Sequence, residues 1–365
     1  MYKVLAVVGT RPDAIKMCPL IKELKKRENI ICRVLSSGQH RELLSGVLAG
    51  NGVSADIELS AMREGQSLSR LTERLFVSLR AVIEREAPSL LIVHGDTTTA
   101  FCAALVGFLA KVPVAHVEAG LRSGDIESPY PEEMNRRTIG QFAKLHFAPG
   151  EIAKNNLLRE GVDPSFIFVT GNTVHDALAE CYDENFTHPI LDETGGAPYV
   201  ILTAHRRENG DKLEQMLSGV RDALEELRLQ AVFPVHPSRR TTEAARRVFD
   251  GCGRVHICAP LSAYEFQNLL ARCFLAVTDS GGVQEEAPAF GKPVLVLRDL
   301  TEREEELKSG ALLLGGTSRE SVRASFKEMV GNIEKYRFAA EERSRTQTGA
   351  AKKIADIICD SLAIC

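Results

Sequence analysis

The stretch SLLIVHGDTTTAFCAALVGFLAKVPVAHVEAG, residues 89–120, carries the pattern that decides the fold. It contains the apolar run SLLIVH, a segment of helical length from Thr97 to Ala110, and a second apolar run, VPVAHV. Two short apolar runs separated by a helix indicate a parallel crossover, in which the helix packs on one face of the sheet. Because such crossovers are right-handed, their repetition predicts a parallel sheet with helices on both faces.

The same alternation continues on both sides of this stretch. In the first half the further apolar runs are KVLAVV and ICRVLSS, and the further helical segments are residues 14–27, 40–50 and 131–142. A second series begins at PYVILTAH and continues through AVFPVH, RVHICAP, CFLAVTDS and KPVLVLRD. The pattern therefore predicts an α/β protein with two doubly wound, Rossmann-like domains.

The boundary between the domains is predicted from composition. Residues 183–198 are rich in Pro, Gly, Thr and acidic residues, which is typical of a linker. The last helical segment places Ile354, Ile358 and Leu362 on one face, so it must pack on another element. We predict an N-terminal domain of residues 1–183 joined by a C-terminal helix at about 345–365, and a second domain of residues 184–344.

Length, charge and cysteine content narrow the class of protein. The chain has 365 residues, 44% of them hydrophobic, which is enough for two cores. A formal net charge of −4 without a long basic block argues against nucleic acid or an acidic membrane as a partner. The first residues read as a strand rather than a signal peptide, and the nine cysteines are scattered without a C-x-x-C pair. We expect a cytoplasmic protein with reduced thiols.

Polar residues that directly follow the apolar runs of the first half are candidates for a site. In GTRPDAIK, Gly9 permits a tight turn, and Arg11 and Lys16 lie near a helix N-terminus that suits an anion. A simple turn with surface cations is an equally good interpretation of this motif alone. The chain has no G-x-G-x-x-G with a following acid, which disfavours a nicotinamide cofactor.

Three acidic residues of the first half are candidates for acid/base chemistry. Asp96 follows a strand, although a helix N-cap is the simpler interpretation of that residue alone. Glu118 ends the next strand, where it has no obvious capping role, and Glu132 begins a helix at Pro131, where acids are usually structural. Carboxylates that share one crevice cannot all ionise freely, so at least one pKa rises and an acid/base set becomes available.

The second half carries a candidate phosphate site. His205 and Arg206 follow the strand of LTAHRREN, and Ser280, Gly281 and Gly282 form a turn between a strand and a helix. The two glycines let backbone N–H groups approach a phosphate at the helix N-terminus. Glu286, one turn into that helix, is placed to accept hydrogen bonds from the hydroxyl groups of a ribose.

Taken together, the motifs GTRPDAIKM, GQHRELL, VHGDTTT, HVEAGLRSGD, SPYPEEMNR, GNTVHDAL, TAHRREN and TDSGGVQEEAPAFGKPVLVLRD resemble the non-hydrolysing UDP-N-acetylglucosamine 2-epimerases. The resemblance extends from residue 3 to about residue 303. It implies the glycosyltransferase type B architecture with a UDP-sugar in the cleft between two Rossmann-like domains, a homodimer, and no organic cofactor or metal. The catalytic residues that it implies are Arg11, Lys16, Asp96, Glu118, Glu132 and His205. The substrate-binding residues that it implies are Arg11, His205, Ser280, Gly281, Gly282 and Glu286.

The implied reaction converts UDP-N-acetylglucosamine to UDP-N-acetylmannosamine, which supplies surface polysaccharides. The hydrogen on carbon 2 of the sugar is not adjacent to a carbonyl, so direct removal of that proton leaves an unstabilised carbanion. Elimination of UDP to 2-acetamidoglucal, followed by re-addition, avoids this problem. The sequence does not assign each carboxylate to a face of the sugar ring.

The resemblance also implies a second, allosteric site for UDP-N-acetylglucosamine. The positions that match this site are Gln39, Glu42, Gln66, Glu133, Arg206 and His236. The chain departs from the family in places. Asp13 stands where the family usually has Glu, RDLTEREEE replaces RDTTERPE, PVHPSRR replaces PVHLNP, and the NPYGDG motif before the last helix is missing.

Three other functions use the same features. A glycosyltransferase would share the Ser-Gly-Gly turn and Glu286, but it would not explain several acids at the strand ends of the first half. A hydrolysing 2-epimerase, which releases free N-acetylmannosamine, is separated by product analysis. A non-catalytic UDP-sugar sensor would have no need of the acid set.

Overall fold

The computed structural model describes residues 1–38, 41–63, 65–346 and 349–364. The chain forms two compact units, Met1–Ala177 with Thr348–Cys365 (unit 1) and Leu178–Gln347 (unit 2). The division after residue 177 lies six residues before the predicted boundary at 183/184, and the return lies after residue 347 rather than at about 345. The two-domain α/β prediction is confirmed.

Unit 1 is a parallel sheet with helices on both faces. Its strands are Tyr2–Val8 (β1), Ile30–Ser36 (β2), Ile57–Glu58 (β3), Leu90–His94 (β4), Val114–Val117 (β5), Leu145–Ala148 (β6) and Ile167–Val169 (β7). Its helices are Arg11–Lys25 (α1), Arg41–Gly50 (α2), Leu68–Glu86 (α3), Thr98–Leu109 (α4), Glu132–Phe142 (α5), Glu151–Arg159 (α6) and Ala350–Ile364 (α16), with Thr173–Cys181 (α7) crossing into unit 2. The strand order is β3-β2-β1-β4-β5-β6-β7.

This order places a topological switch between β1 and β4. The chain proceeds outward from β1 to β3 on one side and from β4 to β7 on the other, so the loops after β1 and β4 leave the sheet toward opposite faces. Ligands in open parallel sheets bind beyond the carboxyl ends of the strands at such a point. In this unit the loops concerned begin at Gly9 and Gly95.

The last helix packs on the first one. Ile354, Ile358 and Leu362 of α16 are buried in the same core as Met17 and Leu24 of α1, as the periodicity predicts. The start of α16 is held by Asp176 of α7, whose carboxylate accepts hydrogen bonds from the backbone N–H groups of Gly349 (2.7 Å) and Ala351 (2.8 Å). A side chain from another helix thus satisfies N–H groups that a helix start leaves without intrahelical partners.

Unit 2 repeats the architecture with six parallel strands. The strands are Tyr199–Thr203 (β8), Gln230–Pro234 (β9), Val255–Cys258 (β10), Leu275–Thr278 (β11), Val294–Val296 (β12) and Leu312–Leu314 (β13). The helices are Pro189–Glu193 (α8), Leu213–Leu227 (α9), Arg239–Phe249 (α10), Ala263–Arg272 (α11), Gly281–Ala289 (α12), Glu304–Ser309 (α13), Arg319–Gly331 (α14) and Ile333–Thr346 (α15). The order β10-β9-β8-β11-β12-β13 puts the switch point between β8 and β11.

Residues 183–198, which are predicted to be a linker, contribute buried side chains to unit 2. Phe186 and Ile190 of this segment are buried in the core of unit 2 with Tyr199. Asp183 N–H donates to Asn268 (3.0 Å), which fixes the start of the segment on α11. The composition of the segment is that of a linker, but Phe186 and Ile190 are buried in the core and Leu191 packs against it.

Across the described part of the chain, no helix combines the length and the apolar character that crossing a bilayer requires. No disulfide bond joins the cysteines of the described residues, of which Cys32, Cys102 and Cys273 are buried.

Candidate active site

The loop after β1 is shaped by a close approach between two helix starts. A Cβ atom at Gly9 would lie 2.4 Å from Oγ1 of Thr99 at the start of α4, so only glycine fits there. Thr10 caps α1, and Asp13 completes the cap because its Oδ2 atom accepts from the N–H groups of Thr10 (3.1 Å) and Gly9 (3.4 Å). Arg11 and Lys16 are thereby placed on the first turns of α1, at the switch point.

Lys16 and Glu118 form a buried pair beside His94. The Lys16 ammonium group donates a hydrogen bond to Oε2 of Glu118, and both side chains are 6% exposed. His94, the last residue of β4, lies with Nε2 3.7 Å from the same carboxylate oxygen. The structure thus brings two of the predicted catalytic residues into contact, together with a histidine that the sequence analysis did not select.

Glu118 has a backbone conformation that non-glycine residues rarely adopt. Its φ angle is +62°, in the left-handed region, which is costly unless the surroundings impose it. The adjacent turn is held by His116, whose ring Nε2 lies 2.7 Å from the carbonyl oxygen of Gly95. Because a carbonyl only accepts, His116 must donate from Nε2. Burial lowers the pKa of His116 to about 3, which keeps the ring neutral.

Asp96 lies in the turn after β4 and is bound from α5. Its Oδ2 atom accepts from the guanidinium group of Arg136, with Nε at 3.0 Å, and its carbonyl oxygen accepts from the Asn135 amide (2.8 Å). Glu132 is the half-buried first residue of that same helix. The turn of Asp96 and the start of α5 are therefore tied together, which places Glu132 on the element that binds Asp96.

Glu133 has a structural environment. Its side chain is fully buried and accepts from Arg136 (2.6 Å), from Arg137 (2.9 Å) and from the N–H of Ser123 (3.1 Å). These donors account for both carboxylate oxygens. The allosteric role predicted for Glu133 stays a prediction.

The carboxyl group of Asp13, which is not one of the predicted acids, has a raised pKa. Burial raises the pKa of Asp13 to about 7, the carboxylate of Asp96 adds to the increase, and hydrogen bonds from Thr10 and Thr97 oppose it. Acids that share a crevice are predicted to shift at least one pKa. Asp13 shows such a shift, and its burial is the main cause.

At the switch point of unit 2, His205 lies against a buried acidic residue, Asp279. Asp279, which follows β11 and is fully buried, accepts hydrogen bonds from the backbone N–H groups of His205 (3.0 Å) and Arg206 (2.9 Å). The Nδ1 atom of His205 lies 3.5 Å from Oδ1 of Asp279. The other side of the His205 ring stacks on His236, with the ring centroids 5.5 Å apart. Asp279 was missed from the sequence, although it follows a strand as Asp96 does.

The start of α12 is lined by cations. A Cβ atom at Gly281 would lie 3.1 Å from the guanidinium carbon of Arg303 and 3.2 Å from Nη2 of Arg206. Ser280 is the N-cap residue, and the Glu286 carboxylate turns back toward Gly282, where a Cβ atom would lie 3.3 Å from Oε1. Helix N–H groups and two guanidinium groups at one point make an anion-binding site.

Buried acids hold these cations in place. Arg303 donates to Glu285 (3.0 Å) and to Glu302, and Nη2 of Arg206 lies 3.8 Å from Glu302. Arg298 donates to the other oxygen of Glu302 (2.9 Å). The guanidinium groups beside Gly281 are therefore fixed before a ligand arrives.

The remaining predicted residues are placed as follows. Gln39 lies outside the described residues, and Glu42 belongs to α2 but its side chain is outside the description. Gln66 donates to the Met62 sulfur (2.9 Å), and its Oε1 atom is buried without a hydrogen-bond partner among the described residues. His236 accepts from the N–H of Ser238 (3.2 Å), and its pKa is lowered by burial and by the nearby His205.

Comparison with known proteins agrees with this geometry. The family described as UDP-N-acetylglucosamine 2-epimerase matches residues 22–359. The chain belongs to this family. The UDP-N-acetylglucosamine 2-epimerase of Bacillus subtilis (strain 168) is 43% identical over 353 residues, which covers 96% of this chain and 93% of the relative.

Two solved structures of this epimerase family match the whole fold. S. aureus MnaA, in a co-structure with UDP, superposes with a TM-score of 0.94 at 38% identity, covering 100% of this chain and 98% of that one. The UDP-GlcNAc 2-epimerase from Neisseria meningitidis, crystallised with UDP-GlcNAc, gives a TM-score of 0.91 at 37% identity, covering 98% of this chain and 100% of that one. The predicted resemblance is confirmed.

Proposed function

We propose that this protein interconverts UDP-N-acetylglucosamine and UDP-N-acetylmannosamine by inverting carbon 2 of the sugar. The observation that carries the proposal is the buried Glu118, held in a left-handed conformation against Lys16 at the switch point of unit 1. A strained, buried acid at the end of a strand has no capping task and suits proton transfer. The cation-lined start of α12 in unit 2 supports a diphosphate as the other end of the substrate.

The reaction proceeds by elimination and re-addition of UDP. Departure of the diphosphate develops positive charge at carbon 1, which acidifies the hydrogen on carbon 2. Removal of that proton gives 2-acetamidoglucal. UDP then adds back while a proton is delivered to the opposite face of carbon 2, and the epimer results.

The residues divide between these two tasks. His205, Ser280, Gly281 and Gly282 bind the leaving diphosphate, with Arg11 as a further cation, and Glu286 accepts from the ribose. Charge that develops on the diphosphate is stabilised by donors that are fixed in advance. Asp96, Glu118 and Glu132 supply the acid and base groups on the two faces of the ring, and Lys16 donates a hydrogen bond to Glu118. The assignment of each carboxylate to a face stays open.

Product analysis tests the proposal against its rivals. The protein is incubated with UDP-N-acetylglucosamine alone, and the mixture is resolved by chromatography and NMR. We expect UDP-N-acetylmannosamine as the new species. Free N-acetylmannosamine with UDP would identify a hydrolysing enzyme, and no change without an added acceptor would favour a glycosyltransferase or a sensor.

The exposed apolar side chains of unit 1 support a homodimer. Val77 of α3 is 65% exposed, and Phe108 and Leu109 at the end of α4 are 54% and 61% exposed. Phe108 lies against Phe142 of α5, with the ring centroids 5.5 Å apart. Burial of such side chains on a second copy removes apolar surface from water. A cytoplasmic location is also part of the proposal, and the cysteines of the described residues, which form no disulfide bond, support it.

Activation by a second UDP-N-acetylglucosamine molecule is the regulatory part of the proposal. Arg206 follows His205 directly, and His236 stacks on His205, so a ligand that contacts either residue also affects the ring. Coupling of this kind is typically about 1 to 3 kcal/mol and is reciprocal. We expect a sigmoidal rate against UDP-N-acetylglucosamine that becomes hyperbolic in His236→Ala. A hyperbolic curve in the unaltered protein would contradict the second site.

A further inference from the structure

Four buried titratable side chains form a row in unit 1. They come from α1, from the end of β4 and from the residue after β5, and none is more than 8% exposed: Asp13, His94, Glu118 and Lys16. His94 lies in the middle, with Nε2 3.7 Å from Oε2 of Glu118 and Nδ1 4.0 Å from Oδ1 of Asp13. Asp13 and His94 have no role in the reaction as proposed above.

We propose that His94 and Asp13 form a proton relay that resets Glu118 between turnovers. They act through Glu118 and do not meet the substrate, so they are positioning and proton-holding residues. The inference rests on the proposed function, in which Glu118 exchanges a proton with carbon 2 of the sugar.

The reaction itself creates the need for a relay. A proton leaves one face of carbon 2 and another arrives on the opposite face, so each turnover leaves one acid/base group with an extra proton and the other without its own. Both must be reset before the next turnover. The side chain of Glu118 is only 6% exposed, and bulk water has little access to it. His94 and Asp13 take the proton from Glu118 at once and hold it until it exchanges with solvent.

The two oxygens of Asp13 are differentiated in the way that a relay requires. Oδ2 accepts from the N–H groups of Gly9 and Thr10 and from the Thr97 hydroxyl (3.2 Å). Oδ1 faces the His94 ring. One oxygen therefore anchors the carboxyl group while the other is placed to take or give a proton. With a pKa raised to about 7, mainly by burial, Asp13 holds and releases a proton at little cost near neutral pH.

The transfer is balanced at each atom. As the O–H bond of Glu118 breaks, an N–H bond forms at Nε2 of His94. The Nδ1–H bond of His94 then breaks as an O–H bond forms at Oδ1 of Asp13, and after the product has left, that O–H bond breaks as Asp13 gives the proton to water. The sequence runs in reverse when Glu118 must regain a proton. Both gaps exceed a hydrogen bond, so small rotations must shorten each to about 3 Å at transfer, as catalytic contacts in unliganded sites generally do.

The test separates resetting from chemistry by comparing kcat with kcat/KM. Asp13→Asn keeps an oxygen that can accept from Gly9 and Thr10 but cannot hold the proton, and His94→Gln removes the ring. Slow resetting limits turnover after the product has left, so we expect kcat to fall about 100-fold, at the low end for acid/base groups, with a much smaller loss in kcat/KM. Asp13→Glu restores an ionisable group and should recover most of kcat.

Deuterium supplies an independent readout. In deuterium oxide, a proton that stays on Glu118 returns to the carbon it came from. The prediction concerns the epimer that gives its carbon 2 proton to Glu118. When the reaction starts from that epimer, the recovered starting material should contain less deuterium at carbon 2 per turnover with Asp13→Asn and His94→Gln than with the unaltered protein. His146→Gln, a change of another buried histidine on β6, is the matched control and should behave as the unaltered protein does.

The outcomes separate the relay from the proposed function on which it rests. Equal losses in kcat and kcat/KM for Asp13→Asn and His94→Gln, or no loss in either, would overturn the relay while epimerisation by the unaltered protein stands. Absence of any epimer from the unaltered protein would overturn the proposed function and the relay together.

Discussion

Glu118 combines an unusual backbone conformation, a buried ion pair and a position at the end of a strand. Its left-handed φ of +62° is retained although a non-glycine residue adopts it at a cost, and its carboxylate is paired with Lys16 inside the protein. The residue follows β5 directly, at the edge of the sheet where ligands of parallel sheets bind. These constraints keep the carboxylate in one position, which the proposed reaction requires.

The carboxylate assignment predicts the effect of removing each charge. Asp96→Asn, Glu118→Gln and Glu132→Gln should each lower kcat by about 10²- to 10⁴-fold, the range for general acid/base groups. Initial rates by a coupled assay or by NMR measure the loss, with circular dichroism to confirm folding. Asp125→Asn is the control, because Asp125 is exposed and its carboxylate accepts a hydrogen bond from the nearby N–H of Glu127 (3.0 Å). A loss in Asp125→Asn as large as in Glu118→Gln would contradict the assignment.

At the residue scale, the sequence predicts site acids that follow strands, but it does not predict the buried residues that lie beside them. Glu118 was selected because an acid followed by Ala-Gly has no capping task. His94 lies inside an apolar run, and Asp13 has the position of a helix cap, which it also is. Their proximity to Glu118 depends on the order of three strands, which no local pattern reveals. Asp279 was overlooked for the same reason, since its partner His205 follows β8, whose neighbour in the sheet is β11.

At the scale of elements, the start of α12 is defined by what surrounds it. Its N-terminal N–H groups, Arg303 and Arg206 converge on Gly281, and the acids behind them fix both guanidinium groups. The sequence alone showed the turn and the helix. It did not show Arg303, which lies 22 positions further along the chain and reaches the turn only because α13 packs near α12.

This arrangement predicts the result of adding one methyl group. In Gly281→Ala the new Cβ atom lies 3.1 to 3.2 Å from the guanidinium groups of Arg303 and Arg206. Either the guanidinium groups move away, or the space for the anion is lost. We expect the Kd for UDP, measured by calorimetry, to rise by about tenfold, which corresponds to about 1.4 kcal/mol. Gly253→Ala is the matched control, since a Cβ atom there meets nothing within 4 Å. Unchanged UDP affinity in Gly281→Ala would contradict the assignment of this turn to the diphosphate.

Helices and long strands are predicted well from the apolar pattern of the sequence, and several short strands are not. Helix α4 was predicted at 97–110 and is observed at Thr98–Leu109, and the strands of five or more residues were all anticipated. Strands β3, β6, β7 and β13 have two to four residues and are not predicted from the sequence, whereas β12, with three residues, lies within the predicted run KPVLVLRD. Residues 183–198 are predicted to be a linker because of their composition. That composition does not indicate that Phe186 and Ile190 are buried in the core of unit 2.

At the scale of the whole molecule, the exposed apolar face of α3 and α4 is the surface that the proposed homodimer needs. We predict that Phe108→Glu places a charge there and shifts the protein from dimer to monomer in sedimentation velocity at micromolar concentration. Phe338→Glu is the control, because Phe338 on α15 is equally apolar and 64% exposed. A monomeric unaltered protein, or dissociation by Phe338→Glu alone, would contradict this interface.

The central claim is that carbon 2 is inverted through elimination, and exchange with solvent tests it most directly. The protein is incubated with UDP-N-acetylglucosamine in deuterium oxide, without nicotinamide, and carbon 2 is examined by NMR and mass spectrometry. Because the second proton comes from a group equilibrated with solvent, we predict UDP-N-acetylmannosamine that carries deuterium at carbon 2. Formation of that epimer with its original hydrogen, or only after nicotinamide cofactor is added, would contradict the account.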